Sequence, residues 1–201
     1  MIRNRVLQSG KTRFDFEKDE FCHALNGTQR KEEIPMKNII LIGMPGAGKS
    51  TVGVLLAKST LRSFVDTDLL IQQKYGKSLC EIIEKEGTDR FLVIENDVIS
   101  ASDYDCCVVA TGGSAVYGDE AMKKLSRDAA VVYLKLPVSE IRKRISDIHS
   151  RGVAVKDGVT LEELYTQRKP LYEKYADVTV ECTGLSAEQC VEKIIRLLAE
   201  K

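Results

Sequence analysis

The sequence predicts a three-layer α/β domain built on a parallel sheet. Three observations carry that reading. Residues 39–43 form a short apolar run with no helical period, and a glycine-rich loop and an amphipathic stretch follow it. Apolar strand-like runs then alternate with helical patterns about five times along the chain, as in a parallel sheet joined by crossover helices. The residues best suited to chemistry stand at the ends of those runs: Gly43, Asp66, Asp68, Gly112 and Gly113. In open α/β sheets, ligands bind beyond the carboxyl ends of the strands.

The first element is the most informative. Residues 43–51 read Gly-Met-Pro-Gly-Ala-Gly-Lys-Ser-Thr, a G-x-x-x-x-G-K-S pattern set between a strand and a helix. Glycines let backbone N–H groups close around a phosphate chain without a Cβ in the way, and the helix N-terminus adds unpaired donors and a favourable dipole. Gly46, Ala47, Gly48, Lys49, Ser50 and Thr51 are the expected phosphate cradle. Lys49 reaches the β- and γ-phosphates, and the Ser50 hydroxyl ligates Mg²⁺. A plain glycine turn requires neither the lysine nor the hydroxyl.

After the helix over 48–60, residues 64–68 (Phe-Val-Asp-Thr-Asp) read as a strand ending in two carboxylates. Asp66 suits Mg²⁺ and Asp68 a substrate hydroxyl. Aspartate is also a good helix cap, which accounts for one of the two. A helix begins at Leu69 and stops at Tyr75-Gly76. Ser78 with Glu81 three residues on forms a capping box for the next. Residues 88–100 read as a helix carrying Phe91, Ile94, Glu95 and Val98. Residues 106–110 are a continuous apolar strand leading into Thr111-Gly112-Gly113-Ser114. A helix over 120–125, a strand over 129–134 and a basic helix over 139–148 follow. Residues 151–158 are polar with two glycines and read as a lid. A helix over 161–175, a strand over 178–181 and a helix over 187–200 close the chain. Arg151, in the lid segment, and Arg168, before Pro170, are the cationic candidates. A guanidinium at Arg168 suits a carboxylate in a bidentate pair.

Composition narrows the partners. The chain has 201 residues, of which 30 are basic and 30 acidic, so no global field draws it to nucleic acid or a membrane. No apolar run approaches the ~20 residues that span a bilayer. The six cysteines show no zinc spacing, and the two histidines carry no motif, which fits a cytoplasmic protein with free thiols. Residues 1–35 are polar and mixed in charge; they are expected to be a disordered extension, with the domain over 36–201.

Together these motifs resemble the shikimate kinase family. The resemblance runs from about Lys37 to Glu200 and includes residues 43–51 and 64–68, Gly76-Lys77-Ser78, Thr111-Gly112-Gly113, residues 131–134 and Arg168-Lys169-Pro170-Leu171-Tyr172. It implies a P-loop, nucleoside-monophosphate-kinase-like fold with five parallel strands, a helical substrate-binding segment and a lid. It implies a monomeric phosphotransferase with an alcohol group as acceptor, using ATP and Mg²⁺ to phosphorylate the 3-hydroxyl of shikimate. Lys49, Asp68 and Arg151 would be catalytic. Arg144 and Arg151 would join the cradle in holding ATP. Asp68, Gly112, Gly113 and Arg168 would hold substrate, and Ser50 and Asp66 the metal. Three positions depart from the family. Leu92 stands where an arginine binds the shikimate carboxylate, Ser114 replaces a third glycine, and the lid reads Arg151-Gly152-Val153-Ala154 rather than arginine followed by proline. Arg90 is two helical positions from Leu92, about 200° around the axis, and does not replace that arginine. The ATP half is intact and the acceptor half altered. Two other readings stay open: a kinase for another small hydroxylated metabolite, and a nucleotide-binding regulatory module without chemistry.

Overall fold

The computed structural model describes residues 38–145, 152–156 and 158–200. The extension expected over residues 1–35 lies outside them. The central sheet has five parallel strands in the order β2-β3-β1-β4-β5. These are β1 (Asn38–Ile42), β2 (Ser63–Asp66), β3 (Cys107–Ala110), β4 (Ala129–Lys135) and β5 (Val178–Glu181). The helices are α1 (Lys49–Thr60), α2 (Thr67–Tyr75), α3 (Leu79–Glu86), α4 (Thr88–Ala101), α5 (Asp119–Ser126), α6 (Val138–Arg144), α7 (Leu161–Tyr175) and α8 (Ala187–Ala199). A 3₁₀ turn spans Ala115–Tyr117.

Burial follows from place in the sheet. Strands β1 and β3 are flanked on both sides and covered on both faces, so every residue is buried. Such strands must be apolar throughout, and Ile39 to Ile42 are. Strand β5 is an edge and alternates buried with exposed residues. The exception in β1 is Asn38, whose side chain is fully used. Its Oδ1 accepts from the Cys107 N–H at 2.9 Å and its Nδ2 donates to the Tyr104 carbonyl at 3.2 Å. This fixes the register of β1 against β3, in which Leu41 stands beside Ala110.

Local signals set the helix starts. Ser78–Glu81, Thr160–Glu163 and Ser186–Gln189 are all complete capping boxes. A second apolar cluster, beside the sheet core, joins Ile71, Leu79, Ile82, Phe91, Ile94 and Val98 of α2, α3 and α4 with Ala154. It is the helical segment that the resemblance implied.

Three boundaries differ from expectation. Strand β2 ends at Asp66, whose Oδ1 accepts from the Asp68 N–H at 3.0 Å and caps α2. Asp66 and Asp68 therefore do not alternate along one strand; Asp68 stands in the first turn of a helix. Cys106 is outside β3, at φ 51°, where its carbonyl accepts from Ser63 N–H and starts the β2–β3 pairing. The basic helix is described to Arg144, with 146–150 outside the described residues. The five cysteines among the described residues are free thiols.

Helix α1 lies against β1 and β2 at Gly53, where an added Cβ would meet the Phe64 ring at 2.6 Å. Gly53→Val overpacks that contact and is expected to lower stability by about 1–3 kcal/mol, read as a lower urea midpoint.

Candidate active site

The carboxyl ends of β1, β2 and β3 open onto one cleft of about 500 Å³, ample for a small ligand. The β1–α1 loop forms its floor. Gly43, Gly46 and Gly48 all have positive φ, which the tight loop requires. Gly43 is also closed to a side chain, since a Cβ would stand 2.7 Å from the Leu134 carbonyl oxygen. Lys49 opens α1, is buried, and donates from Nζ to the Gly43 and Met44 carbonyls at 2.7 and 3.0 Å. Its third N–H is left for a ligand. Burial lowers its pKa to about 8, against the pull of Asp68. Ala47 is buried within the loop rather than facing the cleft.

Ser50 donates its hydroxyl to Asp66 Oδ2 at 2.7 Å. A capping aspartate and the second residue of α1 are thereby joined across two strand ends. Among the described residues no group of three or more His, Cys, Asp or Glu side chains is placed to hold a metal ion. The Ser50–Asp66 pair nevertheless fits magnesium, which takes one or two protein oxygens and fills its shell with water and phosphate.

On the other side stand Asp68, Glu95 and Arg168. Burial, then the Asp66 carboxylate, raises Asp68 to about 6, with Lys49 opposing. Burial raises Glu95 to about 7, while a hydrogen bond from Ser114 opposes. Arg168 is fully buried on α7. Its Nη2 donates to the Ala154 carbonyl at 2.6 Å, and its Cζ lies 5.3 Å from the Tyr117 ring centre. Its Nε and Nη1 have no hydrogen-bond partner. Tyr172, one turn on, donates to the Gly113 carbonyl at 2.7 Å and is stacked on Tyr133.

The Thr111–Ser114 loop fits between these groups because Gly112 and Gly113 lack Cβ atoms. At Gly112 a Cβ would collide with Glu95 and Asp68; at Gly113 it would meet Pro45 at 2.7 Å and Arg168 at 3.0 Å. The Gly112 N–H is already used, donating to Thr67 Oγ1 at 3.0 Å, so Gly112 is in place for steric reasons rather than as a donor.

Of the residues expected from the sequence, Gly46, Gly48, Lys49, Ser50, Thr51, Asp68, Gly112, Gly113, Arg144 and Arg168 line the one cleft. Asp66 joins it through Ser50, and Arg144 donates to the Gly46 carbonyl at 3.4 Å. Arg151 lies outside the described residues. Leu92 is half-buried against the second apolar cluster, and Arg90 lines a separate cleft with Glu84 and Lys156. Sequence reasoning missed Glu95, Tyr172 and Thr67. The signal for Glu95 was present: a carboxylate sharing the apolar face of α4 with Phe91, Ile94 and Val98.

Comparison with known proteins points to one family. The family model described as "Shikimate kinase" matches residues 45–199. A shikimate kinase of Thermodesulfovibrio yellowstonii is 38% identical over 80% of this chain and 94% of its own length. One from Francisella tularensis subsp. holarctica is 38% identical over 84% and 98%. Among solved structures, shikimate kinase from Acinetobacter baumannii in complex with shikimate superimposes with TM-score 0.74 at 33% identity, covering 82% of this chain and 94% of that one.

The raised pKa of Asp68 has a consequence for stability. Between its ordinary value of 3.8 and about 6, the folded chain binds more protons at this group than the unfolded chain. Its contribution to stability therefore falls as pH rises through that window. Asp68→Asn removes the effect. Urea unfolding is expected to show the variant gaining on the parent between pH 4 and 6, by about 1–3 kcal/mol, then levelling.

Proposed function

This chain belongs to the shikimate kinase family, and we propose that it transfers the γ-phosphoryl group of ATP to the 3-hydroxyl of shikimate. One observation carries the reading: the phosphate cradle with Lys49, and Asp68 and Arg168, line a single cleft.

Each group has work suited to its surroundings. The loop N–H groups and Lys49 hold the phosphate chain and neutralise charge as it shifts to the leaving oxygen. Arg144, over the loop at Gly46, serves the nucleotide side. Asp68 accepts the proton of the attacking hydroxyl. A pKa of about 6 leaves it ionised at neutral pH yet basic enough to take that proton. Arg168 keeps a free Nη1 and Nε for the shikimate carboxylate, and the Gly113 backbone, tied by Tyr172, borders the ring. Ser50 and Asp66 would hold Mg²⁺, which would supply positive charge against the phosphate chain when bound. Arg151, in the segment around residues 152–156, would add a cation.

The acceptor half lacks the second arginine of the family pattern, Leu92 standing in its place. Losing one charge-assisted pair costs about 1.5–3 kcal/mol, so shikimate rests on Arg168 alone and binds more weakly by roughly one to two decades.

A coupled ADP-release assay with Mg-ATP tests the assignment, with saturable shikimate turnover expected; silence with shikimate and turnover of another hydroxylated acid would overturn it. Lys49→Met is expected to lower kcat/KM at least about a hundredfold. Asp68→Asn should abolish transfer with ATP binding retained, and surviving turnover would displace Asp68 as the base. Arg168→Lys keeps the charge and loses the fork. Its shikimate KM should rise about tenfold or more while the ATP KM stays put.

A further inference from the structure

We propose that residues 152–156 aim the acceptor arginine: the Ala154 carbonyl orients the Arg168 guanidinium, and Gly152 and Thr88 are positioning residues that hold that carbonyl in place. The role rests on the assignment of Arg168 to the acceptor carboxylate.

Arg168 is fully buried, so protein groups alone set its direction. The Tyr117 ring, 5.3 Å from Cζ, attracts the charge but does not select which nitrogen faces the cleft. The Tyr172 hydroxyl lies beside the guanidinium and gives its own proton to the Gly113 carbonyl. The directional contact is the 2.6 Å bond from Nη2 to the Ala154 carbonyl. A guanidinium is a rigid plane, so fixing one nitrogen fixes the others, and the unpartnered Nε and Nη1 remain for the acceptor. Leu92 brings no second cation from α4, which leaves the acceptor carboxylate dependent on this one group.

Ala154 is held from several directions. Gly152 has φ 63°, and a Cβ there would stand 2.6 Å from Leu79 Cβ and 3.1 Å from the Cys80 nitrogen, so the backbone rests directly on the first turn of α3. Ala154 itself is buried in the apolar cluster with Leu79 and Phe91. Thr88, which opens α4, donates its hydroxyl to the Val155 carbonyl at 3.0 Å. Lys156 pairs with Asp89 at 3.0 Å, but both side chains are mostly exposed and this pair contributes least. The strip separates two cavities. Gly152 and Val153 line the active cleft on one side and a separate cleft of about 660 Å³ on the other. The place of the Ala154 carbonyl therefore depends on these anchors, and through it α3 and α4 set the aim of a residue on α7.

The test compares kcat and KM for shikimate and for its uncharged methyl ester in the parent, in Gly152→Ala and isosteric Thr88→Val, and in each with Arg168→Lys added. The parent is expected to favour shikimate over the ester at least about tenfold. Gly152→Ala pushes the strip off α3; the shikimate KM should rise about tenfold while the ester KM stays within about twofold. Thr88→Val removes one hydrogen bond and should raise the shikimate KM about twofold to tenfold. The ATP KM is unchanged in both, and neither adds more than about twofold once Arg168 is lysine. A shift of the neighbouring Arg151 would slow both acceptors alike, so the ratio between them isolates Arg168. Equal losses for shikimate and ester, or effects that add in full to Arg168→Lys, would make the strip merely structural and overturn the inference with the shikimate assignment intact. Turnover of quinate but not shikimate, with the same carboxylate-dependent loss in Gly152→Ala, would uphold the aiming of Arg168 and overturn the shikimate assignment. No turnover of any carboxylate-bearing acceptor overturns both.

Discussion

The parallel register of β2, β3 and β1 governs everything else in this molecule. Parallel strands end on the same side, and these three are neighbours in the sheet. The residues that leave them are Asp66 into α2, Thr111 into the glycine loop, and Gly43 into the phosphate loop. A slip of one residue in β3 would exchange the faces of Val108 and Val109 and carry Gly112 away from Thr67. Asn38 guards against this from the far end, where one side chain bonds backbone groups of Cys107 and Tyr104. A polar residue buried at the start of the central strand thus secures a site at its other end.

Concentrating charge at those ends is costly, and the structure manages the cost by mutual opposition. Lys49, Asp68, Glu95 and Arg168 are all largely removed from water, and each is perturbed by or perturbs the others. Burial pushes the lysine down to about 8 and the two carboxyl groups up to about 6 and 7, drawing all three toward neutrality. Groups whose pKa values converge on physiological pH exchange protons readily, which a dry transfer site requires. Helix α7 closes the arrangement from outside the sheet: Arg168 faces the acceptor side, and Tyr172 grips Gly113 and lies beside Met44 of the phosphate loop.

Sequence reasoning succeeded where a signal was local. The strand–loop–helix with its lysine and serine, the capping boxes at Ser78, Thr160 and Ser186, and the apolar strands were all legible from neighbours a few residues away. It placed Asp68 on the strand, two residues too far, because a strand end and a helix start share the same residue types. The choice between them turned on which backbone N–H each carboxylate met, and Asp66 met that of Asp68.

The sequence by itself determined the alternation of strands and helices, the phosphate loop and the set of groups able to act on phosphate, since each depends on side-chain periodicity and on chemistry within one loop. The tertiary structure decided which of those groups meet. Ser50 and Asp66 are 16 residues apart, and Tyr172 and Gly113 are 59 apart. Glu95, a single charge on an apolar helix face, acquired its place beside Asp68 only when α4 packed against the glycine loop. Contacts of that kind are set by the sheet order and by close approach of backbone to side chain, which no stretch of sequence carries alone.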